Sequence, residues 1–453
     1  SPDMRTVLII DSDTKLRREL YKTLLSAGWR CIEAENGEAG LAQVSLNQPE
    51  IVLCDMLVPR INGFQLCRNI RSQRSKIRQP IIIATGNSAY SSDRQNAKEA
   101  GADRYLVKPF LSEDLIQIIE GKQDTQLATE IAVKSTPPPN PPTSPPLADE
   151  RQPYIRFWGV RGSIPSPGPG TIIYGGNTSC VELRADNEII ILDAGTGIRG
   201  LGLALAQEFK DQPISVTILI SHTHWDHIQG FPFFVPAYNP KNRVRILGYE
   251  GARRGLLSTL SAQMESPYFP VSLREMTSNV EVKELHEKEF CIGRVRVRAM
   301  YANHPGICVG YRIFTSTGSV AYFPDHEPHQ RMKTHKEGKP TDHDIRHASE
   351  QDQQLVQFLH QTDLLIMDAQ YNDSEYSKRV GWGHGCVDDV VALGMFAQVK
   401  RLCLFHHDPD HDDAEVSSML NWARELVNMH DDSMRVDAAC EGVEIPIGHP
   451  KTS

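Results

Sequence analysis

The chain has 453 residues, of which 40% are hydrophobic and 23% charged, and its formal net charge is −9. This composition is typical of globular protein with more than one core, and no stretch approaches the roughly 20 apolar residues of a membrane helix. Nine cysteines without a CxxC pair argue against a disulfide framework and against a thiolate zinc knuckle. The first residues run into a charged segment rather than a signal peptide, so we expect a cytoplasmic protein.

A proline-rich stretch, STPPPNPPTSPP at 135–146, divides the chain. Proline fixes its backbone angle and lacks an amide donor, so this stretch predicts an extended spacer rather than packed structure. All 17 histidines lie beyond residue 221, and the acidic excess also falls after the spacer. We predict a first domain over 1–124, a linker over 125–150 and a second domain over 151–453.

The first domain alternates short β-branched apolar runs, such as TVLII, IVLC and PIIIAT, with amphipathic stretches. This alternation predicts an α/β fold, a doubly wound five-stranded parallel sheet whose ligand site lies at the carboxyl ends of the strands. Polar residues follow these runs: Asp11, Asp13, Asp55, Thr85 and Lys108. Carboxylates there suit Mg²⁺ and a phosphoryl group, whereas solubilising loop charges are the alternative interpretation.

The motifs IIDSD, CDMLVPRINGFQL, IIIATG and YLVKPF resemble the receiver domains of bacterial two-component response regulators, which are CheY-like. The resemblance implies that Asp55 accepts a phosphoryl group from a sensor histidine kinase and that Asp11 helps to bind Mg²⁺. It further implies that Thr85 and Lys108 contact the phosphoryl group. Tyr105 is then the aromatic residue that changes its rotamer as the domain switches.

This resemblance covers about residues 4–122 and has one departure. Ser12 stands where the family usually has its second acidic residue, and Asp13 is the candidate replacement. No helix-turn-helix segment follows, so we expect no DNA-binding output. The signal is expected to act on the second domain, with a homodimer through the receiver as one route.

The second domain contains the motif HTHWDH at 222–227, directly after the apolar run VTILIS. At the end of a buried strand, His222 and His224 point the same way, and Asp226 with His227 supplies a second set of ligands. Burying such groups as unpaired core would cost on the order of a few kcal/mol each. The motif therefore predicts a metal site, with two ions favoured over one.

Further ligand candidates follow other strand-like runs. They are His304 in YANHPG, Asp325 in VAYFPDHEP and His406 in RLCLFHHDPDHDD. His407 is adjacent and could replace His406, although the register of a strand ending in RLCLFH favours His406. A lone histidine is usually structural, but three candidates at strand ends in the same domain as HTHWDH strengthen the prediction of a metal centre.

The order HxHxDH followed by His, Asp and His resembles the metallo-β-lactamase superfamily, over about residues 154–450. The resemblance implies an αββα sandwich with a dinuclear centre between its sheets. By motif, the ligands of one metal are His222, His224 and His304, those of the other are Asp226, His227 and His406, and Asp325 bridges them. Asp193 in ILDAGTG corresponds to a structural residue that orients the histidine loop.

Shorter motifs, including FWGVRGSIPSPG, YGGNTSC and GWGHG, resemble the branch containing ribonuclease Z and phosphoribosyl cyclic phosphodiesterases. This resemblance implies hydrolysis of a phosphodiester by two divalent ions, which the donor types suggest are Zn, Mn or Fe, with Asp226, Asp325 and His384 as catalytic residues. His384 would protonate the leaving oxygen or stabilise phosphoryl charge, whereas starting a helix is its structural alternative. Gly385 and Cys386 depart from the branch, which has Ser or Leu and then Thr.

The acidic second domain has no basic run, which argues against a long RNA substrate and favours a small phosphodiester. Cyclic nucleotides, cyclic dinucleotides and ribose cyclic phosphates all stay open, and coupling to a receiver favours a signalling nucleotide. Phosphorylation of Asp55 is expected to modulate its hydrolysis. The aromatic stretch at 231–238 either stacks a base or belongs to the core, and the His-rich stretch at 326–347 is expected to be a solvated lid. Two alternatives stay open: a thioester or lactone hydrolase, and a signalling scaffold with a structural metal site.

Overall fold

The computed structural model describes residues 5–73, 77–87, 91–120, 151–251, 253–276, 278–334 and 341–449. The predicted linker at 125–150 lies outside these residues. Within the described part of the chain, no helix combines the length and the apolar character that crossing a membrane requires.

The first domain is a parallel sheet with the strand order β2-β1-β3-β4-β5. Its strands are β1 Thr6–Ile10, β2 Arg30–Ala34, β3 Ile51–Asp55, β4 Ile81–Gly86 and β5 Arg104–Val107. Its helices are α1 Thr14–Ser26, α2 Gly37–Asn47, α3 Gly63–Ser72, α4 Ser91–Ala100 and α5 Ser112–Ile119. Separate apolar clusters cover the two faces of the sheet, as expected for strands that read as continuous apolar runs. The predicted doubly wound fold is confirmed.

The second domain is built on two seven-stranded mixed sheets. One contains β6 Tyr154–Gly159, β7 Cys180–Ala185, β8 Glu188–Leu192, β9 Ser215–Leu219, β10 Arg243–Gly248, β11 Asn279–Glu284 and β19 Glu444–Pro446. The other contains β12 Glu289–Ile292, β13 Val295–Tyr301, β14 Val309–Phe314, β15 Ser319–Phe323, β16 Leu364–Asp368, β17 Arg401–Phe405 and β18 Arg435–Ala438. Side chains from both sheets form one shared apolar cluster, so the sheets pack face to face.

Helices cover the outer face of each sheet. They are α6 Gly197–Phe209, α7 Trp225–Ile228, α8 Leu256–Ala262, α9 His329–Thr334, α10 Asp342–Leu359, α11 Asp373–Tyr376, α12 Val387–Phe396 and α13 Asp413–Met429. Short 3₁₀ turns span Pro169–Thr171, Phe231–Phe233, Val235–Tyr238 and Leu273–Glu275. Helices α6 and α8 pack on the first sheet, and α10, α12 and α13 pack on the second. This layering confirms the predicted αββα sandwich.

Strand direction explains why distant polar residues meet. Strands β8 and β9 run parallel in one sheet, and β15, β16 and β17 run parallel in the other. Strand β13 points the same way as β15, because both are antiparallel to the strand between them. The loops after these strands therefore emerge at one edge of the sandwich, where a polar cluster forms.

Candidate metal centre

The predicted ligands lie together at that edge in two groups. One group contains His222, His224, His304 and Asp325, and the other contains Asp226, His227 and His406, with candidate ligand atoms within 4.8 Å of one another in each group. Asp325 contacts both groups: its Oδ2 lies 3.4 Å from His304 Nε2, and its Oδ1 lies 3.0 Å from His227 Nε2. Its carboxylate thus stands where a residue bridging two ions would stand.

A bound cation would satisfy atoms that the protein leaves without partners. Among the described residues, His222 Nε2, His227 Nε2 and Asp325 Oδ1 are buried and make no hydrogen bond. Each buried polar atom without a partner costs on the order of 1–3 kcal/mol. All three face the same cluster of nitrogen and oxygen donors, so the residues present fit a metal centre better than a packed polar core.

The electrostatics of three predicted ligands favour the protonation states that bind metal, whereas nearby carboxylates raise the pKa of His227. Burial alone would raise the pKa of Asp325, but His406 and His227 outweigh it and hold that pKa well below its usual range. Burial holds the pKa of His222 and that of His304 well below the ordinary histidine range. Ionised carboxylate and neutral imidazole are the forms in which these side chains coordinate a cation.

Acceptors behind the histidines fix which ring nitrogen faces the cluster. Each of three histidines donates its Nδ1–H to an oxygen, which leaves Nε2 for the centre. The pairs are His227 with Asp193 Oδ2 at 2.8 Å, His304 with Gly383 O at 2.7 Å and His406 with Gln370 Oε1 at 2.9 Å. Asp193 also accepts from Ser221 N–H at 2.7 Å and from Tyr322 Oη–H at 2.8 Å, which agrees with its predicted orienting role.

Of the two adjacent histidines after β17, His406 is the one in the cluster. His407 donates from Nε2 to Ala439 O at 2.9 Å, away from the other ligands. The backbone of His406 has a φ of 60°, and its Nε2 lies 3.2 Å from Asp226 Oδ2 in the cluster. Gly162 makes room for that ring, because a Cβ there would lie 2.4 Å from His406 Nδ1.

His384 lies beside the cluster and is held by a residue that sequence reasoning missed. Its Nδ1 lies 2.9 Å from Asp368 Oδ2, and its ring stacks on His406 with 5.0 Å between centroids. Burial alone would lower the pKa of His384, but the Asp368 carboxylate outweighs it and raises that pKa to about 9. Asp368 ends β16 and is fully buried, so the apolar run LLIMD was the signal that could have found it.

The departure at Gly385 has a local steric reason. A Cβ at Gly385 would lie 2.2 Å from the backbone oxygen of Asp368, so a larger residue cannot stand there without moving β16. The preceding turn is held by Glu327, another residue missed from the sequence, which accepts from the amides of Gly381 at 2.7 Å and Gly383 at 2.8 Å. Cys386 is buried just before α12.

The His-rich stretch at 326–347 is not solvated throughout, so that prediction is wrong for its start: His326 and Glu327 are buried. His326 Nδ1 accepts from Asn303 N–H at 3.0 Å, so Nε2 carries the ring proton and is not a free ligand atom. His326 lies near His329 and Asp352, which pair at 2.9 Å. This group therefore differs in chemistry from the main cluster, and residues 335–340 lie outside the described part.

The aromatic stretch at 231–238 belongs mainly to the core. Phe231 and Phe234 are fully buried, whereas Phe233 is exposed. The large exposed side chains nearest the cluster in sequence are instead Trp225, between two predicted ligands, and Trp382, two residues before His384.

The predicted phosphoryl site of the first domain is also assembled. Lys108 Nζ lies 2.6 Å from Asp11 Oδ2 and 3.3 Å from Asp55 Oδ2, and all three side chains are buried. Thr85 pairs with Asp55 in adjacent strands. Asp13 instead caps α1 by accepting from two backbone amides, so its role as a magnesium ligand stays a prediction.

Tyr105 lies beside this group, with its hydroxyl so close to Gly86 that a Cβ there would be 2.3 Å from it. A cavity of about 410 Å³ lies between the two domains. Its walls include Asp11, Asp55, Tyr105 and Lys108 of the first domain, together with Lys288, Tyr301 and His304 of the second domain. The predicted phosphoryl acceptor and a predicted metal ligand thus border the same space.

Comparison with known proteins finds a family model that matches part of each domain. The family model described as a response regulator receiver domain matches residues 7–120, and the one described as a beta-lactamase superfamily domain matches residues 188–407. The response regulator MprA of Mycobacterium sp. (strain KMS) is 34% identical over 110 residues, which cover 24% of this chain and 46% of that protein. The chain thus spans less than half the length of this curated relative.

Two solved structures match the second half. The metallo-beta-lactamase fold protein YhfI from Bacillus subtilis is 15% identical, with a TM-score of 0.46, over 65% of this chain and 99% of that one. The short form of human tRNase Z is 19% identical, with a TM-score of 0.42, over 65% of this chain and 100% of that one. The family assignments therefore stay those of the two models: residues 7–120 match the receiver domain model, and residues 188–407 match the beta-lactamase superfamily model.

Proposed function

We propose that this protein is a response regulator whose second domain is a dinuclear metal-dependent phosphodiesterase. The observation that supports this most directly is the position of Asp325, which contacts His304 at 3.4 Å in one ligand group and His227 at 3.0 Å in the other. A single carboxylate shared by two groups of imidazole and carboxylate donors matches the requirement of two adjacent divalent ions. Imidazole and carboxylate donors without thiolate suit Zn, Mn or Fe.

Two such ions, when bound, stabilise the attacking and leaving oxygens of a displacement and acidify water. The protein's own residues hold the metal ligands in place and protonate the leaving oxygen. Asp368 holds the Nδ1 side of His384, so Nε2–H is the donor that His384 offers to the leaving oxygen. Ser163 N–H donates to Asp226 Oδ2 at 2.8 Å and keeps that carboxylate in place.

A small substrate fits this domain better than a long nucleic acid. Residues 135–453 hold 30 Lys and Arg against 40 Asp and Glu, so there is no electrostatic attraction for many phosphates at once. Trp225, within the HTHWDH motif, and Trp382, two residues before His384, are exposed, and their rings offer faces on which a base can stack. These features support a cyclic nucleotide or a cyclic dinucleotide as the substrate class.

Asp55 is the proposed control point. A sensor histidine kinase would phosphorylate it, with Mg²⁺ bound beside Asp11, and the modified receiver would change the hydrolysis rate of the second domain. The support is its hydrogen-bonded neighbourhood of Asp11 and Lys108, together with the cavity it shares with His304. Pairing of two receivers is a further route by which phosphorylation would act.

A substrate panel tests the proposal. The purified chain, loaded with Zn²⁺ or Mn²⁺, is assayed on bis-p-nitrophenyl phosphate, cyclic nucleotides and cyclic dinucleotides, and in parallel on thioesters and lactones. We expect phosphodiester turnover that is lost in His406→Ala and kept in His430→Ala, which alters an exposed histidine at the end of α13. Turnover of thioesters or lactones alone, or full metal loading without any turnover, would contradict the proposal.

A further inference from the structure

The loop that follows the phosphoryl acceptor is bound directly to the second domain. Arg60 N–H donates to His286 O at 2.7 Å, and His286 Nδ1 lies 3.0 Å from Arg60 O. The Arg60 side chain also pairs with Glu287 at 3.3 Å. Residues 285–288, which connect β11 to β12, therefore lie against the β3–α3 loop of the receiver.

Lys288 is the cationic end of this connection. It lines the interdomain cavity together with Asp55, and its Nζ lies 5.0 Å from the centroid of the Tyr301 ring. Lys288 is an exposed residue, but the packing around its ammonium lowers its pKa, while the Asp55 carboxylate acts in the opposite direction. The second domain thus contributes a lysine to the walls of the cavity that Asp55 also lines.

The segment after β13 leads from this cavity to the metal centre. Ala299 N–H donates to Lys288 O at 2.7 Å, two residues before Tyr301. Farther along, Gly306 N–H donates to Asp93 Oδ1 on α4 at 2.6 Å, and Ile307 packs into an apolar cluster of the receiver. His304 lies within this clamped segment.

We propose that Lys288 forms a cross-domain ligand for the phosphoryl group on Asp55, and that the segment at 301–307 transmits its occupancy to His304. This inference rests on the proposed phosphorylation of Asp55. In that step a carboxylate oxygen of Asp55 bonds to phosphorus, the P–N bond of the kinase phosphohistidine breaks, and the imidazole leaves with the electron pair. The added negative charge then draws the Lys288 ammonium from the Tyr301 ring toward Asp55.

The charge count at the receiver site supports this assignment. Residue 12 of this site is a serine, so Asp11 and Asp55 are the carboxylates that contact Lys108. Asp13 uses its side chain to cap α1. A lysine supplied by the second domain adds positive charge at the same site, which favours a bound phosphoryl group only while the domains are docked.

The test uses the full chain and beryllofluoride with Mg²⁺, a non-covalent stand-in for the phosphoryl group. Binding is measured by ¹⁹F NMR, and hydrogen exchange of residues 301–307 is measured with and without beryllofluoride. We expect Lys288→Gln to weaken beryllofluoride binding roughly fivefold, the size of one partly solvated ionic contact, to shift a bound fluorine resonance and to abolish the exchange response. Lys288→Arg keeps the charge and should retain most of each effect.

The matched control is Lys283→Gln, which removes an exposed lysine of β11 outside the cavity and should behave as the unaltered chain. Unchanged binding and resonances in Lys288→Gln, or no beryllofluoride binding by the unaltered chain, would overturn the inference. Turnover of bis-p-nitrophenyl phosphate is followed in the same samples. Absence of turnover in the unaltered chain would contradict the proposed phosphodiesterase activity. The ¹⁹F measurement would still test the proposed role of Lys288.

Discussion

His384 depends on Asp368 for its position as well as its charge. The 2.9 Å contact fixes Nδ1, and the stacking on His406 fixes the plane of the ring. Removal of the ring therefore takes away a proton donor without removing a predicted metal ligand. Removal of the Asp368 carboxylate keeps the His384 ring but allows that ring to rotate.

We expect His384→Ala to keep both metals and to lose roughly 100-fold to 10,000-fold in kcat on phosphodiesters with poor leaving groups. Esters of p-nitrophenol need little protonation and should lose much less. Asp368→Asn should fall between His384→Ala and the unaltered chain. The measurement is steady-state kinetics beside metal analysis, and an equal loss on both ester classes would contradict the role of proton donor.

Loss of the Asp325 side chain should weaken the binding of both metals. Asp325→Ala is expected to lower the bound metal from about two ions per chain to one or fewer and to abolish turnover, because its carboxylate contacts both ligand groups. Metal is measured by elemental analysis of protein purified without chelator. Asp352→Ala, which alters a carboxylate beside His326 and His329, is the control and should keep both ions. A full complement of metal in Asp325→Ala would rule out the bridging position.

At the scale of elements, the loop after β6 is shaped around a predicted ligand. Gly162→Ala is expected to weaken binding of one metal at least tenfold and to lower turnover, because the new Cβ would lie 2.4 Å from His406 Nδ1. Gly170→Ala is the matched control in the same loop, where a Cβ meets its nearest neighbour at an ordinary 3.5 Å. Titration with Zn²⁺ in competition with a chelator gives the metal affinity of each variant. Equal affinities in Gly162→Ala and Gly170→Ala would show that the loop moves to accommodate the new Cβ.

The limits of sequence reasoning follow from which contacts are local. Polar residues that end apolar strands were predictable, because parallel strands bring their carboxyl ends to one edge, and His222, Asp325 and His406 meet there. Glu327 was not predictable, since it acts by accepting from backbone amides 54 and 56 positions away in sequence. Lys288 was beyond reach for another reason, because its role depends on how two domains dock.

At the scale of the whole molecule, metal should contribute to the stability of the second domain. Six of the seven predicted ligands are buried, and His222, His227 and Asp325 carry atoms that make no hydrogen bond. An ion that binds only the folded state therefore stabilises it. Saturation at 100 times the dissociation constant is worth about 2.7 kcal/mol per site. We expect chelation to lower the unfolding temperature of this domain by several degrees, measured by calorimetry. Added Zn²⁺ or Mn²⁺ should restore that temperature. An unfolding temperature that is the same with and without metal would contradict this.

The docking of Ile307 into the receiver has a consequence for dissecting the protein. Ile307 packs among receiver core side chains, and Tyr249 and Tyr301 pack against the same cluster. Excision of the receiver would turn this contact into an exposed apolar patch and leave Glu250 without its partner Arg68. A truncated second domain should therefore aggregate more readily than the full chain, and its kinetics would describe a damaged enzyme rather than one released from control.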